Sequence, residues 1–181
     1  LRMAGELADG VWIRVGRHPD NLRAAWEQVC EGARSVGRDP ADIELGLIFH
    51  TAVADDPQIA HTMALAIAAG YYEYSPFLFD APGISWAGPD VHELRVQAYP
   101  DFHHHRDPVH AGKLVSFLPP EAADAFALYG DWDAIASQLQ AVLQLGLPVS
   151  VILPHPITPV GSTVNYLRDC AEQLIRNFRA E

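Results

Sequence analysis

Residues 131–156 read DWDAIASQLQAVLQLGLPVSVILPHP. They spell one helix followed by one strand. Asp131 is placed to cap an N-terminus, because its carboxylate can accept from the free amides of a first helical turn. Ile135, Leu139, Val142 and Leu143 then recur at helical spacing, and Gly146 closes the run. Val149 to Leu153 is a β-branched and aliphatic stretch that stops at Pro154-His155-Pro156. That is the grammar of a strand.

The same alternation recurs upstream. Residues 43–54 (IELGLIFHTAVA) predict a second strand, apolar enough to be covered on both faces. Asp56-Pro57 opens a helix lined by Ile59, Met63 and Ile67 and closed by Gly70. Before it, Val11 to Val15 predicts a strand ending at Gly16. A helix follows, capped by Asp20, with Leu22, Ala25, Trp26, Val29 and Ala33 inward, and it stops at Gly37 and Pro40. Residues 1–8 read as helix. At the other end, Ser162 is a cap for a last helix whose inner stripe is Val164, Leu167, Ala171, Leu174 and Phe178. Strands alternating with helices imply an α/β fold with a parallel sheet and right-handed crossovers. Three strands make a small sheet with open edges, which another part of a sheet or a partner must cover.

Residues 71–120 break the rhythm, with Pro76, Pro82, Pro89, Pro100, Pro108, Pro119 and Pro120 singly spaced among aromatic residues. They predict a long irregular insertion or lid within a single domain of residues 1–181, with one helix near residues 89–98.

Composition narrows the function classes. The chain has 181 residues, 49% hydrophobic and 19% charged, which is a folded profile. A formal net charge of −11 argues against a nucleic-acid partner. No apolar run reaches the roughly 18 residues of a membrane span, and no signal peptide is visible, so a cytoplasmic protein is the expectation. Cys30 and Cys170 stand alone in helices and predict small buried side chains rather than nucleophiles.

Three stretches carry a family resemblance. LRMAGELADGVWIRVGR (1–17), EGARSVGRDPADIELGLIFHTAVADD (31–56) and YGDWDAIASQLQAVLQLGLPVSVILPHP (129–156) stand in order. Together they resemble the luciferase-like monooxygenases and F420-dependent oxidoreductases. The resemblance implies the C-terminal part of a TIM barrel: a partial barrel of the last three β/α units, parallel strands, with the irregular insertion inside it. It also implies coenzyme F420 or FMN as cofactor, a small-molecule organic substrate, and hydride transfer or oxygen activation. The family's Gly-rich phosphate turn would lie upstream of Leu1, so the implied partner is a missing N-terminal barrel half or, as in many members, a second copy in a homodimer. The alternative is a non-catalytic barrel-fragment module acting in binding or self-assembly.

Barrel chemistry sits at the C-terminal ends of strands. That rule and the resemblance select the candidate residues. His50 and His155, near the ends of the second and third strands, are the catalytic candidates. Gly16, Arg17 and Thr51 are the substrate- or cofactor-binding candidates, with the Arg17 guanidinium suited to an anionic group. His104 and Arg106 are the lid candidates. The run His103-His104-His105 attracts attention as a metal site, but successive residues of a strand face opposite ways. No metal is therefore expected.

Overall fold

The computed structural model describes residues 1–157 and 163–178. Helix α1 (Arg2–Leu7) leads into strand β1 (Gly10–Ile13), and helix α2 (Pro19–Ser35) returns to strand β2 (Glu44–Val53). Four helices follow: α3 (Pro57–Tyr74), α4 (Val91–Arg95), α5 (Pro108–Leu114) and α6 (Pro120–Phe126). The chain then re-enters the sheet through β3 (Leu128–Gly130), α7 (Trp132–Leu143), β4 (Val149–Pro156) and α8 (Thr163–Asp169).

All strand pairings are parallel. At Leu47 the central strand β2 pairs with both β1 and β4, so these lie on opposite edges. At Thr51 it pairs with both β3 and β4. Strands β1 and β3 therefore share one edge of β2 end to end. Strand β3 was not expected from the sequence. It is three residues long, too short for a periodicity to register.

The sheet has two unlike faces, because side chains alternate along a strand. Ile13, Leu45, Leu47, Phe49 and Leu128 face α2 and α7 and are buried with Leu22, Val29, Ile135 and Leu139. Trp12, Gly46, Ile48, His50, Val151, Leu153 and His155 share the other face by register. Its upper end is covered: Ala52 packs with the α3–α6 layer around Phe79, Phe102 and Phe126. Its lower end is open, with Trp12 52% exposed and Val151 and Leu153 each 44% exposed.

Helix α3 organises that layer. Residues 63–71 are buried without a gap, because Ala64, Ala66, Ala68, Ala69 and Gly70 keep the helix thin enough for neighbours on every side. Asp56 caps it, accepting from Gln58 and Ile59 at 2.8 and 3.2 Å. The helix runs past Gly70 to Tyr74. A Cβ on Gly112 of α5 would stand 1.8 Å from the Thr62 carbonyl, so the two helices cross in backbone contact. Between Tyr74 and Pro108 the chain is mostly turns and coil, broken by α4 and two 3₁₀ turns, and α5 and α6 then pack against α3. The helix expected near 89–98 is α4 with the 3₁₀ turn Val96–Ala98.

Two helix ends differ from expectation. Helix α2 begins at Pro19, so Asp20 lies inside its first turn and makes no cap; Pro at the first helical position has no amide to satisfy. Ser162 lies outside the described residues. In α8 and the π and 3₁₀ turns after it, Tyr166 and Leu174 face the core, while Val164 and Leu167 are 69% and 62% exposed and Phe178 is 40% exposed. The inner stripe is Tyr166, Cys170 and Leu174 because the Tyr166 hydroxyl is tied inward to Thr51.

Candidate functional site

The covered end of the second sheet face gathers histidines from three segments. His50 on β2 and His155 on β4 are register partners, with rings 5.4 Å apart. The turn 101–104 brings His103 onto His50 at 4.8 Å between ring centres. Helix α3 brings Tyr71 edge-on to His50 at 5.7 Å. Gly70 makes this possible: a Cβ there would lie 1.9 Å from His103 Nδ1. A small cavity of about 40 Å³ opens here, bordered by Arg14, His50, Tyr71, Tyr74, Ser75 and His103.

The electrostatics follow from burial. His50 is 2% exposed, and desolvation pushes its pKa down to about 2, with His103 and Arg14 adding repulsion. His103 is pushed down to about 4, again by burial, against the opposing pull of Asp101. His155 is exposed, and partial desolvation at the cluster lowers it as well. All three are neutral imidazoles at neutral pH, able to donate from one nitrogen and accept at the other. Tyr71 is pushed up to about 12 by burial and keeps its proton. The Nδ1 atoms of His50 and His103 are buried without hydrogen-bond partners. Buried polar atoms are nearly always paired, so these two mark a place where a partner belongs.

The sequence-derived candidates divide. His50 and His155 come together at the strand ends. Gly16 and Arg17 do not join them. Gly16 has φ +76°, and a Cβ on it would meet the Ala125 carbonyl at 2.6 Å. Arg17 donates to the Ala127 carbonyl at 2.7 Å and to Asp124 at 3.0 Å. Together these contacts clamp the β1–α2 turn onto the end of α6. Thr51 lies on the opposite face of β2, fully buried, with its hydroxyl 2.8 Å from that of Tyr166. The bond ties α8 to the sheet. His104 bonds Asp101 at 2.8 Å on the flank of the cluster. Arg106 is exposed and makes no ion pair or side-chain hydrogen bond among the described residues.

Sequence reasoning missed Arg14. It is exposed at the cavity rim and carries no ion pair or side-chain hydrogen bond among the described residues. The signal was present: in VWIRV, alternation puts Arg14 on the face of Trp12, opposite to Ile13. His103 and Asp101 were missed because neighbouring rings of the histidine run were expected to point to opposite sides. The run is a turn.

A family model described as luciferase-like monooxygenase matches residues 1–148, most of the chain. The chain belongs to the luciferase-like monooxygenase family. Among relatives, it is 26% identical over 162 residues to a 5,10-methylenetetrahydromethanopterin reductase of Methanolobus tindarius, covering 88% of this chain and 46% of that protein. Among solved structures, the coenzyme F420-dependent tetrahydromethanopterin reductase of Methanopyrus kandleri superposes with a TM-score of 0.68 at 21% identity, covering 98% of this chain and 48% of that one. An F420-dependent secondary alcohol dehydrogenase in complex with an F420-acetone adduct gives 0.62 at 17% identity, covering 99% and 46%. The fold is therefore that of the luciferase-like enzymes. The chain spans just under half the length of each of these three proteins. Among the described residues no helix is long and apolar enough to cross a membrane.

Proposed function

We propose that this chain is the C-terminal part of a luciferase-like barrel and supplies one wall of the cofactor and substrate mouth of an F420- or FMN-dependent oxidoreductase. The observation that carries the reading is the convergence of His50, His155, His103 and Arg14 at the C-terminal ends of parallel strands, where barrel enzymes place their chemistry. The residues present suit such a cofactor. His50 Nδ1 lacks a partner, Arg14 is unpaired among the described residues, and the face below them offers Trp12 and Leu153 as apolar surface. A bound reduced F420 or FMN supplies a hydride to a small organic substrate, and FMN can also activate oxygen.

The protein's part is binding, orientation and exclusion of water. Arg14 gives a fixed positive charge to an anionic or carbonyl oxygen. His50 stays neutral at working pH and offers a hydrogen bond without adding charge. Tyr71 closes the apolar side of the cavity as a protonated phenol. The α3–α6 layer covers the strand ends from above, with the turn 101–104 lying against His50. The open lower face calls for a cover. In this reading it is the N-terminal half of the barrel. A second copy of the chain is the other reading, favoured by the exposure of Trp12, Val151 and Leu153 on one patch.

Titration of the chain with F420, and separately with FMN, followed by cofactor fluorescence, tests the reading. Saturable quenching is expected with at least one, weakened roughly tenfold or more in Arg14→Ala, which removes a charge-assisted contact. Quenching that is equal in Arg14→Ala and His50→Gln would place the cofactor elsewhere. Light scattering on the same samples separates monomer from self-assembled chain.

A further inference from the structure

Asp101, His103 and His104 stand at the side of the cluster, and of the three only His103 also belongs to the group proposed to face cofactor and substrate. One donor atom from each lies within 4.8 Å of the others. The Asp101 carboxylate is 2.8 Å from His104 Nδ1 and 3.5 Å from His103 Nδ1. Two successive histidines reach one carboxylate because residues 102–104 form a turn, which swings both rings to the same side.

The arrangement is built, not a chance meeting of surface side chains. Asp101 and His103 are each 6% exposed. His103 Nδ1 is buried without a hydrogen-bond partner and points toward the Asp101 oxygen. Helix α3 gives up a side chain at Gly70 to admit that ring. Asp101 is held in place, its Oδ1 accepting from the His104 amide at 2.9 Å and its Oδ2 from the Tyr74 hydroxyl at 3.5 Å. Supporting bonds of this kind orient a metal-ligating carboxylate.

We propose that Asp101, His103 and His104 form a site for one divalent transition-metal ion, bound through the Asp101 carboxylate and the Nδ1 atoms of both histidines. Two imidazoles and one carboxylate select zinc, cobalt, nickel or iron over magnesium and calcium, which take all-oxygen shells. Bonds of about 2.0–2.1 Å in a tetrahedral site hold donors about 3.3 Å apart. The Asp101–His104 pair, now 2.8 Å apart, must open by about half an ångström, and the two imidazole donors, within 4.8 Å of each other, must close by up to about 1.5 Å. The Nδ1 proton that His104 now donates to Asp101 moves to Nε2, so the imidazole stays neutral while its lone pair binds the metal. Three protein ligands leave a coordination position for water or a small ligand. The charges facing the site are Arg14, which opposes the ion, and the buried Glu73 carboxylate, which Arg95 holds at 3.1 Å. Bound there, the ion pins the turn that covers His50.

The test uses the 181-residue chain stripped of metal with a chelator. Zinc is titrated by calorimetry, and cobalt by its visible absorption bands. One equivalent is expected to bind, with a rise in melting temperature. His104→Ala and Asp101→Asn should each weaken binding roughly tenfold or more, since loss even of a supporting contact costs that much. His105→Ala, one residue outside the set, should leave it unchanged. His104 is half-exposed, so its variant folds even where a change at buried His103 does not. Absence of binding, binding unaffected by both ligand variants, or loss of binding in His105→Ala would overturn the proposal. None of these outcomes depends on whether F420 or FMN binds.

Discussion

His50 sits where an imidazole pays most for a proton. Its pKa is pushed down to about 2 in the folded chain and lies near 6.5 when unfolded. Between these values the unfolded chain binds more protons, so stability rises with pH there and falls as acid is added. His103, pushed down to about 4, acts in the same direction. Each group contributes up to about 1.4 kcal/mol per pH unit below about pH 6.5. The melting temperature should therefore decline from pH 7 to pH 5, and His50→Gln should flatten that decline. A variant that keeps the full acid slope would show that His50 is not desolvated as described. Gly70 is the second residue-scale test. Alanine there would drive a methyl into the His103 ring, an overpacking that typically costs about 1–3 kcal/mol. Denaturant unfolding of Gly70→Ala should show that loss, and an unchanged midpoint would mean that the ring lies elsewhere.

Among elements, α1 is attached by backbone contact rather than by side chains. A Cβ on Gly5 would stand 1.9 Å from the Val29 carbonyl, and one on Gly32 would stand 2.0 Å from the Arg2 carbonyl. Gly32→Ala should release α1 from α2. Amide exchange should speed up across residues 2–7 and stay slow in β2; uniform slow exchange would contradict the crossing. Helix α3 depends on its start. Asp56→Ala removes a carboxylate that accepts two amides and should cost about 1 kcal/mol by denaturant unfolding. These elements also show what the sequence could and could not disclose. The cap at Asp56, the cap at Asp131 and the apolar run of β2 were legible because each is set by neighbours a few residues away. The packing of the α3–α6 layer was not, because α3 contributes many alanines to it, whose burial depends on which helix lies alongside. His50 and His155 were legible from their place at strand ends. The bonds of Arg17 to Asp124 and of Thr51 to Tyr166 were not legible, because the partners lie 107 and 115 residues away in sequence.

At the scale of the whole molecule, the sheet presents two ends of one face that ask for different things. The upper end carries the histidine cluster under its helical cover; the lower end leaves Trp12, Val151 and Leu153 open to solvent. In the proposed function the other half of a barrel completes the floor by pairing with the parallel edge strands β1 and β4. In the same proposal, cofactor and substrate meet the chain at the upper end of this face. The most direct measurement is the histidine-ring nitrogen–proton spectrum of the chain during titration with F420 and with FMN. The account predicts that the His50, His103 and His155 resonances move together with one of them, while His61 and His92 stay still. Shifts confined to histidines outside the cluster, or none at saturating cofactor, would contradict it.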